Sequence, residues 1–407
     1  MSDTAPAPRP PRRRAVVVTR LFSPEVSAAS ARLRALTVAF AEAGWDVEVL
    51  TTRPPTGTAD VADPDGVRVR RWPVLRDAQQ TVRGYVQYLS FDLPLVLRLL
   101  VVRRPDVVIC EPPPTTGLVV RVVCALRRVP YVWFAADVWS DGAASAGAPG
   151  PVVRAVRAVE SWVLSGARHV LSVNEGVTER LLLLGVRPET VQLVGNGVDT
   201  DVFGPDDVPE GGSQVRGAPI PEPYAAYAGT MSEWQGADVF VRGFAQVLDR
   251  LPRDARLVFL GQGSALPSIR AAADELAPGR VDFPGVVPPP VAARWQRHAT
   301  CALVSIVPGQ GYDFARPTKI WAATATGTPV LYAGVGAAAE QVEREALGEA
   351  VDHDASAVAE GLVRAFAAPP SDERRARLAD WTREHASLRQ VAREAVAGVL
   401  RAIGLPG

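Results

Sequence analysis

TCALVSIVPGQGYDFARPTKIWAATATGTPVLYAG, residues 300–334, decides how this chain folds. TCALVSI is a short apolar run with β-branched side chains, the pattern of a strand covered on both faces. VPGQGYDFAR is too rich in Gly and Pro for a regular element and reads as a loop. Pro317 suits the first helical position, where its missing N–H costs nothing, and TKIWAATAT reads as a short helix stopped by Gly327 and Pro329. TPVLYAG then resumes the strand pattern. Strand, loop, helix and strand in this order form a βαβ unit, which joins parallel strands.

The same alternation extends both ways. AVVVTRLF (15–22) reads as a first strand, ARLRALTVAFAEAG (31–44) as a helix with Leu33, Leu36, Phe40 and Ala43 on one face and Gly44 as its stop, and DVEVLTT as the next strand. PDVVICE (105–111), PYVWFAAD (130–137), ARHVLSV (167–173) and ETVQLVGNGVD (189–199) continue the series. GPDDVPEGGSQVRGAPIPEP (204–223) reads as a linker. Strands at YAAYAGT (224–230), ARLVFLGQGS (255–264) and RVDFPG (280–285) lead into the opening stretch. The expectation is a basic disordered tail over 1–14, a Rossmann-like domain over 15–204, a linker over 205–223, a second Rossmann-like domain over 224–385, and an amphipathic helix over 386–407 that suits either domain and is set down as packing back on the N-terminal one. Leu388, Val391, Ala395, Val399 and Ile403 share its face. Ligands of such sheets sit beyond the carboxyl ends of the strands.

Composition narrows the function. The 407 residues carry 44 Lys and Arg against 44 Asp and Glu, so no global charge draws nucleic acid or an acidic partner. Cys110, Cys124 and Cys301 lie in apolar segments without metal-ligand spacing, as in a reduced, cytoplasmic protein. No signal-peptide pattern follows the N-terminal arginines, and no stretch has the uncharged length of a membrane span. His169, His298, His353 and His385 are scattered, so no metal site is expected, and no cofactor is implied. The Asp pairs in DTD (199–201) and DHD (352–354) read as helix caps or solvated groups. No motif of covalent catalysis is present.

Lys319 is the one Lys among those 44 basic residues. The spacing puts it in the first turn of a helix at the carboxyl end of a parallel strand. A cation there opposes the helix dipole unless an anion joins it. Phosphate binding is set against an exposed Lys whose stem lies on the surface. Gly229 and Gly236 in YAGTMSEWQGADVFVRGF (227–244), and Gly261 and Gly263 in LVFLGQGS, stand where backbone can approach a ligand, or serve only as turn residues. No P-loop or dinucleotide fingerprint occurs, and the first strand is followed by SPEVSAAS, without glycine.

Taken together, VGNGVDTDVF (194–203), YAGTMSEWQGADVFVRGF, LVFLGQGS and RPTKIWAATATGTPVL resemble the retaining glycosyltransferases of family 4, in order and in spacing. FSPEVSAASARLRALTVAFAEAGWDVEVLTTRP, DVVICEPPPTTGL and AADVWSDGA are similar to the branch that builds bacterial surface polysaccharides of the O-antigen type. The resemblance implies an α/β chain of GT-B fold, two Rossmann-like domains facing across a cleft, the second binding a nucleotide-sugar donor. Lys319 matches the Lys of a Pro-Ser-Lys motif and becomes the main diphosphate cation, with Arg316, Pro317 and Thr318 beside it. Gly229, Thr230, Gln235, Gly236, Gly261, Gly263 and Val286 complete the implied donor set; Thr230 and Gln235 stand where many relatives have Arg and Lys. Ala322 stands where relatives carry the Glu that holds the ribose hydroxyls, and Asp313 or Glu340 is the substitute. Asp137 in ADVW matches an acid near the reaction centre; the residues alone equally suit a strand-end cap. Glu25 and Ser27 are placed on the acceptor side, and Asn196 in the turn near the linker.

The implied reaction moves a sugar from a nucleoside diphosphate to a glycan or lipid-linked acceptor with retention of configuration. YVQYLSFDLPLVLRLLVVRRP (85–105) reads first as a core helix and second as a surface for an anionic membrane, which extends the cytoplasmic location to the inner face of the plasma membrane. Ala322 keeps open a non-catalytic nucleotide-sugar-binding protein, and the fold keeps open a nucleotide-sugar epimerase.

Overall fold

The computed structural model describes residues 12–25, 27–58, 62–77, 80, 82, 84–145, 147–206 and 223–405. The basic tail up to residue 11 and most of the linker, 207–222, lie outside the described residues. The chain divides into two compact units, Met1–Gly195 with Ala392–Gly407, and Asn196–Val391.

In the first unit the order is β1 (Arg14–Val18), α1 (Ala28–Glu42), β2 (Asp46–Thr52), β3 (Val67–Trp72), α2 (Tyr85–Val101), β4 (Val107–Cys110), α3 (Pro114–Arg127), β5 (Tyr131–Ala135), α4 (Trp139–Ser145), α5 (Gly150–Gly166), β6 (His169–Ser172), α6 (Glu175–Leu183) and β7 (Val191–Leu193). The strands pair in parallel in the order β3-β2-β1-β4-β5-β6-β7. β4, β5 and β6 are buried along their whole length, because helices cover both faces of a parallel sheet. The edge strand β3 alternates Val with Arg over its first four residues and exposes Arg68 and Arg70, which discourages further strand pairing. α1 buries Leu33, Leu36 and Phe40, but Ala43, expected on that face, is its exposed C-cap, and Gly44 turns the chain at φ +84.

The second unit runs β8 (Tyr224–Ala228), α7 (Asp238–Ala245), β9 (Arg256–Leu260), α8 (Leu266–Leu276), β10 (Val281–Gly285), α9 (Pro289–His298), β11 (Cys301–Ser305), α10 (Thr318–Ala325), β12 (Val330–Ala333), α11 (Ala337–Arg344), β13 (Gly348–Val351), α12 (Ala355–Ala367), α13 (Asp372–His385) and α14 (Leu388–Ala402), the last of which leaves the unit after Val391. Its sheet has the order β10-β9-β8-β11-β12-β13, all parallel. Tyr227, Phe240, Phe244 and Phe259 are completely buried in its core. Burying each such side chain stabilises the fold by about 1.5–3 kcal/mol before entropy is counted.

The structure bears on three expectations. The boundary falls at Gly195, not residue 204. Asn196–Gly204 belongs to the second unit because the Val198 amide bonds the Ala386 carbonyl at 2.8 Å and the Leu388 amide bonds the Val198 carbonyl at 2.9 Å. A β-carbon on Gly197 would stand 2.6 Å from the Ala386 carbonyl oxygen, so that pairing needs glycine. Next, the last helix is shared: its residues from Ala392 group with the first unit, where Arg393 meets Glu42 at 3.1 Å and Gln192 donates to the Glu394 carbonyl at 3.1 Å. Finally, α2 is a core helix on one side alone. Phe91, Leu95 and Leu99 are buried, yet its opposite side exposes Tyr85, Leu93 and Leu97.

Candidate functional site

Each sheet reverses its strand order at one point, between β1 and β4 in the first unit and between β8 and β11 in the second. Connections leave such a point in opposite directions and open a crevice at the carboxyl ends of the strands.

In the second unit β8 ends at Ala228, and Gly229 turns away with φ +130. Its amide bonds the Leu260 carbonyl at 2.8 Å. Gly261, at φ +129, follows β9 so closely that a β-carbon there would overlap the Gly229 carbonyl oxygen, and one on Gly263 would overlap that of Met231. These glycines let two strand-exit turns nest against each other.

Lys319 lies across this turn. A β-carbon on Gly229 would be 2.7 Å from Lys319 Cε and 3.3 Å from Nζ. The ammonium stands 5.3 Å from the centre of the Tyr227 ring, within range of its π face. Among the described residues Lys319 makes no hydrogen bond and no ion pair. The surrounding protein displaces water from the ammonium and holds it down to about 8 from its ordinary 10.5. Lys319 is the second residue of α10, and no side chain caps that helix. Pro317 is therefore the N-cap rather than the first helical residue, and Thr318 takes the first position. An unpaired cation beside an uncapped helix N-terminus is electrostatically incomplete, and an anion completes it.

The remaining donor-side residues divide. Gly229 and Thr230 are exposed at the turn, Val286 is exposed just after β10, and Arg316 is half-buried ahead of α10. Gln235 is buried and committed: its carboxamide oxygen accepts from the Ser232 amide at 3.0 Å in a capping box. Gly236, at φ +56, has Val307 and His353 where a β-carbon would go, so packing explains it. Asp313 turns its carboxylate back to the Gly309 amide at 3.2 Å, and its carbonyl accepts from the Ala337 amide at 3.2 Å. Glu340 is exposed on α11. Ala322 packs on the core cluster of Ile320, Trp321 and Tyr332.

In the first unit the crevice holds groups that sequence reasoning passed over. Glu111, just beyond β4, is buried with Arg32 at 3.4 Å and receives a hydrogen bond from Thr19 at 2.6 Å. Burial raises its carboxyl in spite of those partners. Arg20, just beyond β1, lies 3.9 Å over the Tyr88 ring, and burial lowers it. Asp137 keeps an exposed surface but is pushed up to about 6, first by loss of water around the carboxyl, with Arg32 opposing and Glu111 and Glu160 adding like charge. The cap of α4 comes from Glu160, which accepts from the Trp139 and Ser140 amides at 2.8 and 2.9 Å. That removes the capping role considered for Asp137, which forms no hydrogen bond among the described residues. Glu25 and Ser27 have structural tasks: Glu25 pairs with Arg76 at 2.9 Å, and Ser27 caps α1 by accepting from the Ser30 amide.

Comparison with known proteins gives this geometry a family. Residues 27–197 match the Glycosyl transferase 4-like domain, and residues 222–368 match Glycosyl transferases group 1. The chain belongs to the family 4 type of glycosyltransferase. The chain is similar to D-inositol 3-phosphate glycosyltransferase of Xylanimonas cellulosilytica, 32% identical over 235 residues that make up 55% of this chain and 54% of that protein. It is also similar to the protein of that name from a Nocardioides species, 30% identical over 62% of this chain and 57% of that protein. The chain spans about half the length of the curated relatives it matches. Among solved structures, sucrose-phosphate synthase of Thermosynechococcus elongatus has a TM-score of 0.74 at 18% identity, covering 96% of this chain and 98% of that one. Anabaena HepE in complex with UDP-glucose has 0.66 at 14%, covering 96% and 99%. Both likenesses show the GT-B fold. The signals missed in the sequence were Tyr227, two residues before Gly229 and read only as strand, and Glu111, read only as the end of DVVICE.

Proposed function

We propose that this chain transfers a sugar from a nucleoside-diphosphate sugar to an acceptor hydroxyl, with retention of configuration. The observation that carries this reading is the unpaired Lys319 ammonium over the Gly229 turn at the uncapped start of α10. As the bond to the sugar breaks, negative charge grows on the leaving diphosphate. A preplaced ammonium and helix amides stabilise that charge without reorganising, which lowers the barrier. A solved GT-B neighbour holds UDP-glucose, in keeping with such a donor. Retention follows if the acceptor attacks from the face the diphosphate leaves, with a departing phosphate oxygen taking the proton. Asp137, uncommitted and raised to about 6, is the carboxyl of the first unit that orients the acceptor hydroxyl, whose proton the phosphate oxygen takes. The acceptor class is a glycan or a polyol hydroxyl; the relatives named for inositol 3-phosphate and the neighbour named for sucrose phosphate keep to that class.

A second reading, a nucleotide-sugar-binding protein without turnover, rests on Ala322 and on the commitment of Asp313 to Gly309. Calorimetric titration with UDP, GDP and ADP, followed by turnover of the matching sugar donors, separates the two. Binding with release of the nucleoside diphosphate supports the transferase. Binding without release under a broad acceptor screen supports the second reading. No binding of any nucleoside diphosphate overturns both.

A further inference from the structure

α2 has its polarity reversed relative to a helix that faces water. From Tyr85 to Val101 every exposed residue is apolar or aromatic, with Tyr85 at 72%, Leu93 at 67%, Leu97 at 65% and Val101 at 67% exposure. Its polar residues are drawn off that face: Asp92 is buried, and Gln87, Ser90 and Arg98 are half-buried. Asp92 is buried and accepts from Thr116 at 2.6 Å. Ser90 accepts from the Leu75 amide at 2.9 Å. Arg98 donates to the Arg70 carbonyl at 2.6 Å. The adjoining helix α3 adds Leu118, Val122 and Leu126, four residues apart, at 39%, 43% and 73%. An outer face of this size does not arise by chance on a monomer that meets only water.

Charge decides what covers it. Segments 85–104 and 114–128 contain Arg98, Arg103, Arg104, Arg121, Arg127 and Arg128, and the one acid among them is the buried Asp92. Arg103, Arg104 and Arg128 are exposed beyond the carboxyl ends of α2 and α3, and Arg104 donates to the Arg128 carbonyl at 3.0 Å. Beside them Arg121 stacks 4.0 Å over Trp162, itself 43% exposed. Apolar and aromatic side chains with arginines at the margin and no exposed acid within these two segments complement an anionic lipid surface: hydrocarbon for the helix face, phosphates for the arginines. A second copy of the chain would bring arginine against arginine. Among the described residues no helix is long and apolar enough to cross a membrane, so the contact is interfacial.

We propose that the outer face of α2 and α3 docks the protein on an anionic bilayer, lying in the headgroup region with the arginines on lipid phosphates. The contact is independent of donor chemistry.

The test is flotation of the full chain with vesicles of phosphatidylcholine alone or mixed equally with phosphatidylglycerol. The expected result is binding to the mixed vesicles that weakens as salt is raised. Leu93→Glu/Leu97→Glu and Arg103→Ser/Arg104→Ser should each lower partition about tenfold. Unchanged nucleotide titration and thermal unfolding would show that both variants still fold. Wild-type protein left wholly in the supernatant overturns the proposal. So does equal binding by both variants. Oligomers that dissociate with Leu93→Glu/Leu97→Glu, without vesicle binding, overturn it in favour of contact between copies.

Discussion

The Lys319 side chain fills the space that a β-carbon on Gly229 would need, its Cε 2.7 Å from that point. The two residues are 90 positions apart in the sequence and act as one unit: the missing side chain of the first makes room for the charge of the second.

Gly229→Ala therefore displaces the ammonium and strains the backbone at φ +130. The expected cost is about 1–3 kcal/mol of stability. Nucleoside-diphosphate affinity should fall at least tenfold, since a shift of about 1.4 kcal/mol in the ammonium's interaction suffices. Urea unfolding and calorimetry read the two effects separately.

Lys319 itself gives a pH signature. Its folded value, about 8, lies below its ordinary 10.5, so the unfolded chain binds more protons between those values. Stability should rise across that window, and Lys319→Met should abolish the rise. Below about 8 the buried charge is a standing cost, so the same substitution raises the melting temperature at pH 7. Diphosphate binding needs the charged form and should weaken about tenfold one pH unit above the folded value. Lys319→Arg should restore little affinity, because a planar guanidinium does not fit the slot over Gly229.

Asp137→Asn tests the first unit. The carboxyl is raised from 3.8 to about 6 in the fold, so the folded state holds the extra proton and wild-type stability drops as pH rises through that interval. The Asn variant should lack this drop. Turnover should fall about a hundredfold, with donor affinity unchanged.

Glu160→Ala removes both acceptors at the start of α4. Two bonds to a buried charge are lost together, and unfolding free energy should fall by about 2–4 kcal/mol. A cost under 0.5 kcal/mol would mean that water or another group caps α4.

What the sequence disclosed depended on how each residue earns its place. The central strands were legible because a parallel sheet buried on both faces needs continuous apolar runs, as in VVIC and YVWFA. The edge strands β3 and β13 were missed, since VRVRRW has charged alternation and GEAV is short. Lys319 was legible because it broke the composition of its own chain. Glu111, Arg20 and Arg32 were not, because each ends or follows an ordinary element and gains its chemistry from residues distant in sequence. Gln235 and Asp313 went the other way: family position pointed to a ligand, and local hydrogen bonds claimed their side chains.

The helix Leu388–Ala402 changes hands at Val391, and this fixes an order of synthesis. The first unit is discontinuous in sequence: its β7 residue Gln192 waits for the Glu394 carbonyl, and Glu42 waits for Arg393. A ribosome must deliver all of Asn196–Val391 before those partners emerge. The unit translated first is thus completed only after the second, and Glu42 and Gln192 stay without these partners until Arg393 and Glu394 have emerged.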